Sequence, residues 1–84
     1  MQRTLLVVLL SRRHKTAVKA QKLLTDYGCI IKTRLGIHEG VLDKCSDAGL
    51  IVLELVGPNK DKKELASKLK KLSGVKIKYI SIAF

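Results

Sequence analysis

The sequence has 84 residues, 46% of them hydrophobic, with 17 Lys and Arg against 7 Asp and Glu and a formal charge of +10. These totals argue against a disordered chain. They leave one small domain whose core must be aliphatic, since there is no Trp, one Phe and two Tyr. The positive charge favours acidic partners, among them nucleic acid, phosphorylated metabolites and an acidic protein face, although it also keeps a small protein soluble.

Cys29 and Cys45 are too few for a disulfide scaffold and are read as free thiols, with a Cys29–Cys45 bridge as the alternative. The first apolar run, Leu5 to Leu10, is too short for a signal core or a membrane span. The expectation is therefore a cytoplasmic protein with no membrane segment.

Residues 3–10 read as the first strand. Ser11 offers a cap hydroxyl, and a helix follows to about Tyr27, with Ala17, Ala20, Leu24 and Tyr27 at helical spacing. Gly28 is the expected left-handed stop. Residues 29–37 read as a second strand of edge character, with Ile31, Thr33, Leu35 and Ile37 on one face and Lys32 and Arg34 on the other. Residues 38–49 form a long loop with turn residues at both ends. Residues 50–56, Leu-Ile-Val-Leu-Glu-Leu-Val, form a strand that is apolar everywhere except Glu54, and Gly57-Pro58-Asn59 breaks it. Asp61 and Glu64 have capping-box spacing, which starts the second helix near Lys62. Leu65, Leu69 and Leu72 give this helix its apolar stripe, and Gly74 ends it. The last strand runs from Val75 to about Ala83. Its apolar phase changes near Tyr79-Ile80, which suggests either a bulge or a strand end packed on both faces.

The order strand, helix, strand, strand, helix, strand predicts an α+β, ferredoxin-like βαββαβ fold over residues 1–84, with a four-stranded antiparallel sheet and both helices on one face. The first and third strands belong in the middle. If Ile51, Leu53 and Leu55 face the helices, then Leu50, Val52, Glu54 and Val56 face away, as does half of the first strand. The patch so made approaches the largest that monomers usually expose, about 300–600 Å². Self-association through the sheet, as a dimer or tetramer, covers it with no further partner; the alternative is that the loop at 38–49 folds over it. Glu54 is expected to pair with Arg34 across the sheet, or to point at a ligand in the interface.

Three groups of residues are candidate sites. Ser11, Arg12, Arg13 and His14, with Arg34, could hold an anionic effector: cations at a helix N-terminus oppose its dipole, and a bound anion would reconcile them. His38 and Cys45 share the long loop and are the candidate metal ligands, although the chain has no close-spaced metal pair such as Cys-x-x-Cys. The second helix carries Lys60, Lys62, Lys63, Lys68, Lys70 and Lys71, a face able to meet phosphate backbones. Against that use, neither central strand has the stacking aromatics of an RNA-binding sheet. No catalytic constellation or glycine-rich phosphate loop is present in the sequence, and no cofactor is named by it. An enzyme would have to place its site in the 38–49 loop, with perturbed His or Cys groups.

The run Ile30-Ile31-Lys32-Thr33-Arg34-Leu35-Gly36-Ile37, a long loop, and then Leu50 to Val56 resembles the iron-only hydrogenase system regulators. The segments 17–28 and 65–78 are similar to that family's first helix and to its closing helix and strand. The resemblance covers nearly the whole chain and includes Arg34-x-Gly36 and Gly74-Val75. It implies a standalone ACT-like domain, related in fold to the effector domain of the nickel-responsive repressor, that associates through its sheet and binds a small effector at an interface. Amino-acid-binding ACT domains often have a glycine in the turn occupied here by Ser11-Arg12-Arg13-His14, and the repressor's metal-binding histidine pattern is missing. The reading is a non-enzymatic regulatory or effector-binding module, linked to iron-only hydrogenase by the resemblance, with a small anion or an acidic protein as partner. The alternative is a nucleic-acid-binding module that uses the basic helical face.

Overall fold

The computed structural model describes residues 2–11, 14–37 and 48–83. Strand β1 (Gln2–Ser11) leads into helix α1 (His14–Asp26), and a 3-10 turn (Gly28–Ile30) precedes β2 (Ile31–Ile37). Then come β3 (Ala48–Leu55), α2 (Asn59–Lys70) and β4 (Val75–Ala83). The sheet order is β2-β3-β1-β4 with every neighbouring pair antiparallel, so the two most apolar strands lie in the middle. This is the βαββαβ ferredoxin-like fold expected from the pattern.

One aliphatic core fills the space between helices and sheet. Thr4, Leu6, Val8 and Leu10 alternate inward from β1, and Ile51, Leu53 and Leu55 alternate inward from β3. The helices meet them with Ala20 and Leu24 of α1 and Leu65, Ala66 and Leu69 of α2. Leu6, Leu53, Leu55, Leu65 and Leu69 are fully enclosed, each worth about 1.5–3 kcal/mol by burial. Thr16 ties α1 to the turn between α2 and β4 by donating its hydroxyl to the Ser73 carbonyl at 3.0 Å.

Several local expectations are corrected. Gly28 does not adopt a left-handed conformation; among the described glycines only Gly57 (φ 95°) and Gly74 (φ 80°) do. The chain leaves α1 through the 3-10 turn instead, with Ile30 N–H donating to the Tyr27 carbonyl at 3.1 Å, and the second strand starts two residues later than its apolar run suggested. The Asp61/Glu64 spacing does not cap α2. Pro58 occupies the N-cap with φ −63°, a value its ring fixes, so the helix starts at Asn59 and Asp61 falls inside the first turn. There it still complements the helix dipole. The register of β1 with β4 runs unbroken from Leu10↔Val75 to Gln2↔Ala83, so β4 has no bulge. Its apolar phase changes because Val75, Ile77 and Tyr79 pack on the helices while Ile80 pairs with Leu5 on the opposite face.

The irregularity lies in β2. Ile31 pairs with Leu55 but Thr33 pairs with Glu54, so one extra residue, Lys32, is accommodated there. The insertion reverses the strand's phase. Ile31 joins the core side, whereas Thr33 and Leu35 share the other face with Glu54 and Val52, and the expected single face for Ile31, Thr33, Leu35 and Ile37 does not form.

Candidate functional site

The face of the sheet away from the helices carries no covering element among the described residues. Antiparallel partners share a face, so its rows can be read across the strands. Leu35, Val52, Val7 and Lys78 form one row; Thr33, Glu54, Leu5 and Ile80 form the next. Leu50 lies beside Leu9, and Leu9 beside Lys76. Leu35 is 55% exposed, Ile82 50% and Leu9 44%, whereas Leu5, Val7, Leu50, Val52 and Ile80 are partly covered by their neighbours. The surface is therefore aliphatic in the middle, with lysines along the β4 edge. Leu50, Val52 and Glu54 lie on it as the alternation predicts, and Val56 stands exposed just beyond β3. Of the loop proposed as a cover, 38–49, Ala48 and Gly49 belong to β3 instead, and 38–47 lie outside the described residues.

Glu54 is paired, but not with Arg34. Both of its oxygens accept from Arg3, from Nε at 2.7 Å and from Nη2 at 2.8 Å, a bidentate geometry. Hydrogen bonding to Arg3 holds the Glu54 carboxyl below its ordinary range, opposed by partial desolvation; the charge of Arg3 and then that of Lys32 add to the lowering. Arg34 is opposite Leu53, on the helix side, and its Nη2 donates to Gln21 Oε1 of α1 at 2.8 Å. The bulge at Lys32 is the physical reason: it sends Arg34 to the face opposite Glu54. Arg3 sits at the start of β1, where no sequence pattern marks it as a partner.

Most of the other sequence candidates lie outside the described residues or at their edge. Ser11 ends β1 opposite Ala48, and His14 opens α1, while Arg12 and Arg13 lie outside the described residues. Arg34 is engaged on α1 at Gln21, beyond the first turn of that helix. His38 and Cys45 also lie outside the described residues. Among the described residues no cluster of His, Cys, Asp or Glu could hold a metal ion, and Cys29 is an exposed free thiol.

On the helical side, Lys60, Lys63, Lys68, Lys70 and Lys71 are exposed as expected, but Lys62 is not: it is only 7% exposed. A groove of about 330 Å³ between the helices is lined by Leu23 and Leu72 together with Lys19, Lys22, Lys68, Lys71 and Asp26. Lys68 also lies over the Tyr27 ring, 5.1 Å from its centre, and reaches Glu64 at 3.4 Å, so part of its charge is already engaged. No helix among the described residues is long and apolar enough to cross a membrane.

No protein-family model matches the chain, and no curated protein does. Solved structures do. The uncharacterized protein TM1266 from Thermotoga maritima superposes with a TM-score of 0.84 at 24% identity, covering 99% of this chain and 100% of that one. The ACT domain of the GTP pyrophosphokinase of Chlorobium tepidum superposes with a TM-score of 0.72 at 12% identity, over 93% and 96% of the two chains. The nitrogen regulatory PII-like protein CPII from Thiomonas intermedia K12 does so in its apo form (TM-score 0.65, 15% identity, 98% and 90% covered). Bound to ADP, AMP and bicarbonate, CPII gives a TM-score of 0.57 at 17% identity, with 100% and 96% covered.

Proposed function

From a fold shared with ACT and PII-like domains, we propose that this chain is a small, non-enzymatic regulatory module that binds an anionic effector and self-associates through the open face of its sheet. The observation that carries the reading is that face: two central strands present Leu5, Val7, Leu9, Leu50 and Val52 away from the helices, with Leu35 and Ile80 beside them. A second copy brings the same surface and needs no other partner, and a two-fold dimer is the commonest closed arrangement. The bound nucleotides and bicarbonate of CPII support small anions as an effector class for this fold. The net charge of +10 supports the same class. A task in an iron-only hydrogenase system is the finer form of the proposal and rests on the sequence resemblance.

The test is light scattering on the purified chain at micromolar concentration. A dimer or tetramer is expected, and a strict monomer overturns the self-association. The nucleic-acid alternative rests on the exposed lysines of α2. Among the described residues it finds no stacking platform: both central strands are without an aromatic, and Tyr27 and Tyr79 pack against the core. Binding of single-stranded RNA that is strong at low salt and falls steeply as salt rises would favour that reading instead.

A further inference from the structure

Lys62 is buried one turn into α2, and its Nζ donates to the hydroxyl of Thr4, itself fully buried on β1, at 3.2 Å. An ammonium has three donors, and this hydroxyl takes one. The ion pairs among the described residues are Arg3–Glu54, Lys22–Asp26 and Lys68–Glu64, so no described carboxylate meets Lys62. A buried cation without a counter-charge is unfavourable, and a methionine or leucine could occupy the space. Core packing therefore does not explain why a lysine stands there.

The surroundings offer an explanation. Lys62 lines a cavity of about 340 Å³ at the end of the sheet where β1 begins and β3 gives way to Gly57. Arg3, Lys32 and Glu54 line it too. Three cations line it against one carboxylate, and Glu54 is bonded to Arg3 through both oxygens, so the equivalent of two positive charges, those of Lys32 and Lys62, stays unbalanced. Helix α2 starts just beyond Gly57 of this lining with no side-chain cap, but Asp61 in its first turn offsets the dipole, so the positive field here comes from the lysines. Two uncancelled cations match a dianion, whereas a monocarboxylate would neutralise only one. A phosphate monoester carries about −1.5 to −2 charges at neutral pH.

We propose that this cavity binds the phosphate group of a small metabolite, or free phosphate, with Lys62 as the buried anchor and Lys32 and Arg3 at the mouth. The site deepens the effector-binding half of the function proposed above and rests on it; it does not depend on self-association. It lies at the opposite end of β1 from the Ser11–His14 turn and uses none of that turn's residues.

The experiment is calorimetric titration and thermal unfolding of the full chain with inorganic phosphate, glycerol phosphate and acetate, at matched ionic strength in chloride. The expected result is a saturable rise in Tm with both phosphates that acetate does not reproduce. Tighter binding of glycerol phosphate points to a metabolite, and equal or tighter binding of inorganic phosphate points to the free ion. Lys62→Met keeps the aliphatic stem and removes the charge. It should fold with an unchanged or higher Tm in the absence of phosphate, and bind phosphate more weakly by roughly tenfold or more, the size of one charge-assisted hydrogen bond. Lys71→Met, on the exposed helical side, should bind as the wild type does. No phosphate-specific response in the wild type, or the same response in Lys62→Met, overturns the site. Light scattering on the same samples separates the two proposals: a dimer indifferent to phosphate sinks this site alone, and a monomer that binds phosphate sinks self-association alone.

Discussion

The one carboxylate that the described residues place on the open face makes stability depend on pH in a direction that can be worked out. Hydrogen bonding to Arg3 depresses the folded-state pKa of Glu54 below its ordinary, unfolded value. A depressed acid contributes stability that is complete above the unfolded value and is lost as pH falls through the folded one. Glu54→Gln should therefore be less stable than wild type at neutral pH, with the gap closing in acid; urea melts at several pH values measure this, and a gap that stays constant into strong acid contradicts it. Two glycines make a second pair of predictions. Gly57 has φ +95° and a Cβ there would lie 3.4 Å from Ile30 Cγ2, so Gly57→Ala should cost about 1–3 kcal/mol. Gly28 has neither constraint, and Gly28→Ala should be neutral or stabilise by about 0.4–1 kcal/mol through the unfolded chain. Denaturation midpoints decide both. The sequence marks each glycine as a break but not its φ: Gly28 and Gly74 both follow a helical stripe, and only the second takes the left-handed form.

At the scale of the strand, two adjacent residues of β3 should behave oppositely. Leu53 is fully buried under the helices, and Leu53→Ala should destabilise the fold by about 2–5 kcal/mol. Val52 points to the other face, beside Val7 and Leu35. Val52→Asp should leave the monomer folded, as judged by its far-UV spectrum and cooperative melt, while disrupting association. The alternation that supports this pair was legible in β1 and β3 because each inward residue has a full-length partner strand on both sides. In β2 it was not. A bulge inserts a residue without breaking the apparent alternation of Ile31, Thr33, Leu35 and Ile37, so the sequence reads as regular while the faces exchange at Lys32. The misplaced Glu54–Arg34 pair follows from that one residue. The buried state of Lys62 was hidden for a related reason. The helix begins at Asn59, two residues before the apparent capping box and just after a proline, and a lysine among lysines carries no sign of which one turns inward.

For the whole molecule, the element order was legible because the turn residues and the changes of period fall where the chain changes element. The cover on the open face was not legible, because a greasy sheet states that something shields it and not what does. Charge makes the proposed association distinctive. Each copy carries +10, so two copies repel and salt should strengthen the dimer by screening, whereas binding to a nucleic acid weakens as salt rises. Sedimentation equilibrium of the wild type and Val52→Asp, side by side at low and moderate salt, tests the central claim most directly. The account predicts a wild-type oligomer that tightens with salt and a folded, monomeric Val52→Asp. A wild type that stays monomeric across micromolar concentrations at both salts, or a variant that associates as well as its parent, would contradict it.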